Sequence, residues 1–215
     1  MSIETIKSRW IEAFRLPKGY EDIPTLICES KADVPSFKKL KTLKRGFIIE
    51  AIKNGWDFYV YGATPGTGKT SWAVDIGKAY YTYCINNLDG IDLMGEMPTN
   101  IPVVFLNVND YLEMQKKGIE DSDIRTKFNK LNSDARKCDL LIVDDIGYCQ
   151  SYSEYDEYTV SQLVNTRAME KNKTTIYTSN RTPQQLGEVI NPKTIDRLFN
   201  KNTKLIPIKA KKSRR

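Results

Sequence analysis

The chain has 215 residues, a net charge of +6, 40% hydrophobic residues and 28% charged residues, a balance typical of a folded globular domain. It carries no histidine, which excludes Ser-His and Cys-His catalysis and histidine-ligated metals. Four cysteines (Cys28, Cys84, Cys138, Cys149) lack CxxC spacing, so neither a zinc site nor a disulfide framework is expected. No stretch approaches the roughly 18 apolar residues of a membrane helix, and we expect a cytoplasmic protein with no membrane association.

The first segments of the chain are predicted to be helical. Residues 2–15 form one helix, and residues 35–54 form a second that leads into a strand. The apolar residues of the first helix recur at helical spacing: Ile3, Ile6, Trp10 and Phe14. This apolar stripe has two interpretations, because it either docks into a partner's groove or packs on its own domain.

A glycine-rich loop follows the predicted strand at 57–61. Its residues are Ala63, Thr64, Pro65, Gly66, Thr67, Gly68, Lys69, Thr70 and Ser71. This is the pattern of a phosphate-binding loop, with Ala63 in place of the usual first glycine. Backbone N–H groups would point at phosphate oxygens, Lys69 would reach the β and γ phosphates, and Thr70 would offer its hydroxyl to Mg²⁺. The loop and the helix predicted at 70–86 therefore predict a nucleoside triphosphate site.

A short apolar strand that ends in two acids is the second motif. Beyond an irregular connection containing Gly90, Gly95 and Pro98, we predict a strand at 102–108 and helices at 109–117 and 122–137. The strand at 139–143 then runs into Asp144 and Asp145. Acids at the carboxyl end of a buried parallel strand face the crevice where ligands of α/β sheets bind. Asp144 would hold Mg²⁺, and Asp145 would orient and deprotonate an attacking water.

The remaining elements alternate between helices and strands. They are a helix at 155–171, a strand at 174–179, helices at 183–189 and 192–200, and a strand at 204–208. Strands that alternate with helices predict an α/β fold, with a parallel sheet covered by helices on both faces.

Two further polar residues have open interpretations. Asn180 follows the strand at 174–179, where its amide would contact the γ-phosphate or the attacking water, or would simply belong to a helix cap or turn. Arg197 lies in the helix before the last strand. It is either an arginine finger for a neighbouring subunit or a solvated surface residue.

Four segments together resemble one family. They are the loop ATPGTGKTS, the strand DLLIVDDIG (139–147), TTIYTSN (174–180) and TIDRLFN (194–200). Over residues 17–208 the chain resembles the AAA+ ATPases of the DnaC/DnaI helicase loaders and their IstB relatives. The resemblance implies a P-loop NTPase of the AAA+ type without a separate C-terminal lid. It also implies ATP and Mg²⁺ at Lys69, Thr70 and Asp144, with Asp145 as catalytic acid, Asn180 as γ-phosphate sensor and Arg197 as a finger in the adjacent subunit.

The resemblance further implies a role in DNA replication. The expected function is an ATP-dependent loader that places a hexameric replicative helicase on single-stranded DNA and self-associates through its ATP sites. Three parts are expected: an N-terminal amphipathic helix (1–16), an AAA+ ATPase domain (17–208) and a basic tail (209–215). The tail, with five of the chain's basic residues, either contacts nucleic-acid phosphates or is a solvated end.

Other functions share parts of this pattern. An IstB-like transposition helper would act on duplex DNA, and a helicase-binding regulatory module would hydrolyse ATP weakly. A small-molecule kinase would share the loop, but the chain shows no evident phosphoryl-acceptor site.

Two segments are candidates for DNA contact. One is the helix pair at 109–137, which carries Lys116, Lys117, Arg125, Lys127, Lys130, Arg136 and Lys137. The other carries Tyr148, Tyr152, Tyr155 and Tyr158. Tyrosines beside basic groups provide stacking platforms for single strands, although solvated helix faces and core-packed tyrosines give the same pattern.

Overall fold

The protein was analysed as a computed structural model that describes residues 2–23, 26–28, 30–88, 101–149 and 151–210. The predicted irregular connection with Gly90, Gly95 and Pro98 lies outside the described residues, as does most of the basic tail.

A single five-stranded sheet forms the centre of the described structure. Its strands are β1 (Asp57–Tyr61), β2 (Val103–Asn107), β3 (Leu140–Asp144), β4 (Thr174–Ser179) and β5 (Thr203–Pro207). The order is β2-β3-β4-β1-β5, and every neighbouring pair is parallel. The predicted α/β class with a parallel sheet is confirmed, and each predicted strand lies within one or two residues of its observed bounds.

Helices precede and connect the strands. They are α1 (Ile3–Phe14), α2 (Val34–Thr42), α3 (Ile48–Asn54), α4 (Lys69–Leu88), α5 (Val108–Lys117), α6 (Ser122–Lys137), α7 (Glu154–Met169), α8 (Pro183–Gly187) and α9 (Pro192–Leu198). A 3₁₀ turn at Lys31–Asp33 precedes α2. Over the described ranges, no helix combines the length and apolar character needed to span a bilayer.

The predicted helix at 35–54 is wrong in one respect, because it is broken in the middle. Residues Leu43–Phe47 form a wide turn between α2 and α3, and Gly46 there has a φ of 118°. This left-handed backbone is accessible to glycine without a steric penalty, and it interrupts the helical hydrogen bonding. The apolar periodicity continues across the break, so the pattern alone did not reveal it.

Two hydrophobic cores pack against opposite faces of the sheet. Side chains alternate along β1, so that Phe58 and Val60 enter one core while Tyr59 enters the other. Helices α2, α3 and α4 cover the first face, whereas α5, α6, α7 and α9 contribute to the second. The strands are therefore buried on both sides, as their nearly continuous apolar sequences predict.

Helix α1 packs on the same domain. Ile6, Trp10 and Ala13 are buried in one core and Phe14 in the other, while Ile3 is only partly buried. The helix lies against β2, an edge strand of the sheet. Of the two interpretations of its apolar stripe, the structure shows packing on its own domain.

A buried polar network lies at the amino-terminal end of the sheet. The Arg167 guanidinium donates to the carbonyls of Cys138 (2.5 Å) and Thr174 (2.6 Å), and it also contacts the Thr175 hydroxyl (3.2 Å). Next to it, the Thr175 N–H donates to Asp57 Oδ1 at 2.6 Å. Burial raises the pKa of Asp57 to about 6, and the Thr175 N–H and the nearby Arg167 only partly oppose this effect.

The raised pKa of Asp57 makes the stability of the protein depend on pH. Between about pH 4 and pH 6 the folded protein retains a proton that the unfolded chain releases, so this contribution to stability is lost as pH rises through that window. Asp57→Asn keeps the acceptor for Thr175 but cannot ionise. We expect the unfolding free energy of the variant, relative to the wild type, to increase from pH 4 to pH 6 by at most about 3 kcal/mol.

Urea unfolding across this pH range measures the difference. The matched control is Asp22→Asn, at an exposed carboxylate. A difference between Asp57→Asn and the wild type that does not change with pH would contradict the prediction.

Candidate nucleotide site

The sheet brings three of the sequence motifs together at the carboxyl ends of its strands. Strand β4 lies between β3 and β1, and all three are parallel, so their carboxyl ends meet. The glycine-rich loop follows β1, Asp144 ends β3, and Asn180 follows β4. This edge is where ligands of open α/β sheets bind.

The loop adopts the curled backbone that the glycines predict. Gly66 and Gly68 have φ values of 71° and 92°, in the left-handed region. Lys69 begins α4 and is only 5% exposed. Its Nζ donates to the carbonyls of Gly62 (2.9 Å) and Thr64 (3.0 Å), so the ammonium lies inside the curl of the loop.

Burial also changes the acidity of this lysine. Desolvation lowers the pKa of Lys69 from its usual value, while the carboxylates of Asp145 and Asp144 act in the opposite direction. The ammonium of Lys69 is therefore close enough to Asp144 and Asp145 for their charges to stabilise it.

Asp144 connects the loop helix to the neighbouring strand. Its Oδ1 accepts hydrogen bonds from the hydroxyls of Thr70 (2.7 Å) and Thr178 (2.6 Å). Asn107, at the end of β2, donates to Oδ2 at 3.5 Å. The carboxylate is 5% exposed, and these donors offset the cost of burying it. The structure thus brings Thr70 and Asp144, the two predicted metal ligands, into direct contact.

This pair fits a magnesium site. Mg²⁺ in nucleotide sites takes one or two protein oxygens and completes its coordination with water and phosphate. A hydroxyl and a carboxylate oxygen that already lie 2.7 Å apart match that requirement. Within the described ranges, no cluster of three or more acidic or cysteine side chains suits a metal held by protein ligands alone.

Asp145 lies in a backbone turn that β4 holds in place. Its φ of 57° is in the left-handed region, which is uncommon for a residue with a side chain. The Asp145 N–H donates to the Thr178 hydroxyl (3.0 Å), and the Ile146 N–H donates to the Thr178 carbonyl (3.0 Å). Ser179 Oγ donates to the Ile146 carbonyl (2.6 Å). Such restrained conformations cluster at functional sites.

Asn180 has a buried acceptor that lacks a hydrogen bond. Among the described residues, no group donates to its Oδ1. The cap of the following helix is instead Thr182, which forms a capping box with Gln185. The helix-cap interpretation of Asn180 therefore does not apply.

Arg181, the next residue, fixes the chain beyond the acids. Its Nε donates to the Gly147 carbonyl (2.5 Å) and its Nη2 to the Cys149 carbonyl (3.1 Å). Its own carbonyl accepts from the Tyr59 hydroxyl (2.8 Å). Arg181, Thr178 and Asn107 were not predicted from the sequence as site residues. In the sequence, each of these residues is only a polar residue within an apolar strand or at its end. Such a residue indicates a site only when the neighbouring strand is known.

Arg197 is the remaining predicted site residue. It is an exposed residue in the last turn of α9. Its role as an arginine finger depends on a second subunit, so it stays a prediction.

The candidate DNA-contact segments contain both exposed side chains and side chains that are buried or already paired. Tyr148 and Tyr158 are exposed, but Tyr152 is turned inward, where its hydroxyl accepts from the Gly147 N–H (2.9 Å). Burial raises the pKa of Tyr152 to about 12. Three of the lysines on the α5–α6 pair are in ion pairs: Lys116 with Asp156, Lys117 with Glu113, and Lys130 with Glu12.

Comparison with known proteins identifies the family. The model of the bacterial DnaA ATPase domain matches residues 58–201, about two thirds of the chain, from β1 to the end of α9. The chain belongs to this family. It is an AAA+ ATPase domain, and the resemblance to the DnaC/DnaI type drawn from its motifs is confirmed.

Individual relatives agree with this assignment. The replicative helicase loader DnaC of Escherichia coli (strain K12) is 26% identical over 140 residues, which are 65% of this chain and 49% of the relative. The chain thus spans about half the length of this relative. A crystal structure of a DnaC helicase loader has a TM-score of 0.64 at 20% identity and covers 90% of this chain and 100% of that one.

A second similar structure is a replication initiator DnaA bound to AMPPCP and single-stranded DNA. Its TM-score is 0.62 at 19% identity, over 91% of this chain and 51% of that one. At these identities the two structures establish the AAA+ fold alone.

Thr178 offers a test of how the ATPase site is positioned. Thr178→Val removes the hydroxyl that donates to Asp144 and accepts from the Asp145 N–H. We expect ATP turnover to fall about 10- to 100-fold, as for other residues that orient catalytic groups. Thr178→Ser keeps the hydroxyl and should stay close to the wild type.

Steady-state phosphate release measures turnover, and urea unfolding reports the cost of the unpaired N–H, about 1–3 kcal/mol. If the valine and serine variants turn over ATP equally well, Thr178 does not position the acids.

Proposed function

We propose that this protein is an ATP-dependent loader of a hexameric replicative helicase onto single-stranded DNA, and that it binds ATP between subunits. The hydrogen bond between Thr70 and Asp144 supports the nucleotide site, because it joins the loop to the acid-tipped strand. The similarity to a replicative helicase loader over 140 residues supports the loading role.

Nucleotide binding would use groups that the fold already holds in place. The loop backbone from Ala63 to Ser71 would surround the phosphates, with Lys69 and the amino-terminal end of α4 supplying positive charge. Thr70 and Asp144 would hold magnesium. When bound, magnesium offsets the negative charge of the β and γ phosphates.

Hydrolysis requires a water aligned with the γ-phosphate. In this proposal the carboxylate of Asp145 accepts a proton from that water. Three hydrogen bonds with β4 hold the turn at Asp145 and so fix the position of this residue. Asn180 Oδ1 is a buried acceptor without a partner, so it suits a water proton better than a phosphate oxygen, which is itself an acceptor. Asp145 and Asn180 would thus orient the same water.

Arg197 would complete the site of the neighbouring subunit. An arginine finger stabilises the charge that develops in the transition state of phosphoryl transfer. Its exposure on α9 fits action on another chain.

Mixing two inactive variants tests this arrangement. Lys69→Ala should lose nucleotide binding, whereas Arg197→Ala should bind ATP normally and lose about a thousandfold in turnover. In a mixed assembly, a subunit with Arg197→Ala keeps its nucleotide site, and an adjacent subunit with Lys69→Ala supplies the intact Arg197 to that site. Turnover should therefore reappear when the two proteins are combined.

Lys201→Ala, at an exposed residue beyond α9, is the matched control and should keep wild-type turnover. Normal turnover by Arg197→Ala alone, or no recovery on mixing with assembly intact, would rule out the finger in trans.

DNA and helicase assays test the loading role. We expect single-stranded DNA to stimulate ATP turnover more than duplex DNA does. With the replicative helicase encoded by the same genome, we expect ATP-dependent transfer of the helicase to circular single-stranded DNA, and the Lys69→Ala variant should not support it.

Stimulation mainly by duplex DNA, without helicase transfer, would favour a transposition helper instead. Helicase binding without turnover would favour a regulatory module.

A further inference from the structure

A deep apolar pocket lies on the face of the sheet covered by α2 and α3, away from the nucleotide site. Its volume is about 530 Å³, within the range of ligand-binding pockets. Six of its ten lining residues are apolar: Pro35, Leu43, Phe47, Trp56, Phe58 and Ile206. Phe47 remains 41% exposed even though its ring packs on Trp56, with centroids 5.7 Å apart. A large apolar side chain therefore fits this pocket.

The polar groups at the pocket are nearly all cationic. Lys38, Lys39 and Lys204 line it, and no carboxylate of the described residues does. The hydroxyl of Thr42 already donates to the Lys38 carbonyl at 2.9 Å. A nucleic-acid base would bury N–H donors that these lysines cannot accept, which costs free energy. An aliphatic or aromatic side chain carries no such cost.

The surroundings of the pocket extend the positive charge. Residues 38–53 contain six lysines and arginines but a single acid, Glu50. Lys44 is paired with Asp75 at 2.7 Å, whereas Lys38 and Lys39 are exposed on α2. Lys204 lies over the Trp56 ring, with its Nζ 5.6 Å from the centroid. The rim therefore attracts negative charge to the mouth of an apolar pocket.

We propose that this pocket, bounded by α2, the turn at Gly46 and strands β1 and β5, is a docking site for an acidic segment of a partner protein. The segment inserts a large apolar side chain between Phe47 and Ile206, and its flanking carboxylates pair with Lys38, Lys39 and Lys204. The inference concerns a surface apart from the ATPase site, and it stands or falls separately from helicase loading.

Fluorescein-labelled peptides provide the probes. The first is a short glutamate-rich peptide with two central leucines, and the second has both leucines replaced by serine. The third keeps the leucines but has lysine in place of glutamate. We expect fluorescence anisotropy to show saturable binding of the first peptide, with affinity at least about tenfold above that of the other two.

Protein variants locate the binding. Phe47→Ser and Lys39→Glu should each weaken the first peptide about tenfold, because each removes one of the two kinds of contact. The matched controls are Ile119→Ser, at an apolar residue 65% exposed elsewhere, and Lys171→Glu, at an exposed lysine. Both should bind like the wild type. Lys39 is at the surface, so its variant keeps the test valid if Phe47→Ser disturbs folding.

Three results would overturn the proposal. One is the absence of saturable binding of the first peptide. Another is an equal loss of binding in the pocket variants and their controls. The third is tighter binding of oligothymidylate than of the peptide, with both pocket variants weakening it, which would make this a nucleic-acid surface.

Discussion

One carboxylate, that of Asp144, joins the parts on which the site depends. It is nearly buried, and such a group is stable only where donors replace the water it has lost. The hydroxyls of Thr70 and Thr178 supply those donors from the loop helix and from β4. Since a parallel sheet aligns the carboxyl ends of its strands, this contact requires β3, β4 and β1 to be neighbours in that order. The arrangement of Thr70, Asp144 and Thr178 is thus a consequence of the strand order.

The hydroxyl of Thr178 also positions the backbone of Asp145. Thr178 accepts from the Asp145 N–H while it donates to Asp144, so one side chain sets the position of one acid and the backbone of the next. The left-handed turn at Asp145 persists because β4 supplies partners on both sides of it. Arg181 continues the restraint to Gly147 and Cys149. Hydrogen bonds with β4 and with Arg181 therefore hold the turn that follows β3 in its conformation.

The sequence allowed the sheet, the loop and the acids to be predicted because each depends on a local pattern: an apolar run, glycines, or charges at a strand end. Features that depend on neighbours in space could not be predicted in this way. Thr178 becomes important only because β3 lies beside β4, and the break at Gly46 is hidden by an apolar period that continues across it. The roles of Asp145, Asn180 and Arg197 remain predictions, because they depend on a substrate and on a second subunit.

The proposed docking pocket and the phosphate loop share strand β1, which contributes to the wall of the pocket and leads into the loop. Phe58 on β1 and Ile206 on β5 line the pocket, and β1 runs directly into the loop. Just beyond β5, the Ile208 N–H donates to the Tyr61 carbonyl (2.6 Å), and the Lys209 N–H donates to Asp33 Oδ1 (2.6 Å). These bonds connect the end of β5 to the last residue of β1 and to the turn before α2, so the pocket wall and the base of the phosphate loop belong to one hydrogen-bonded part of the structure.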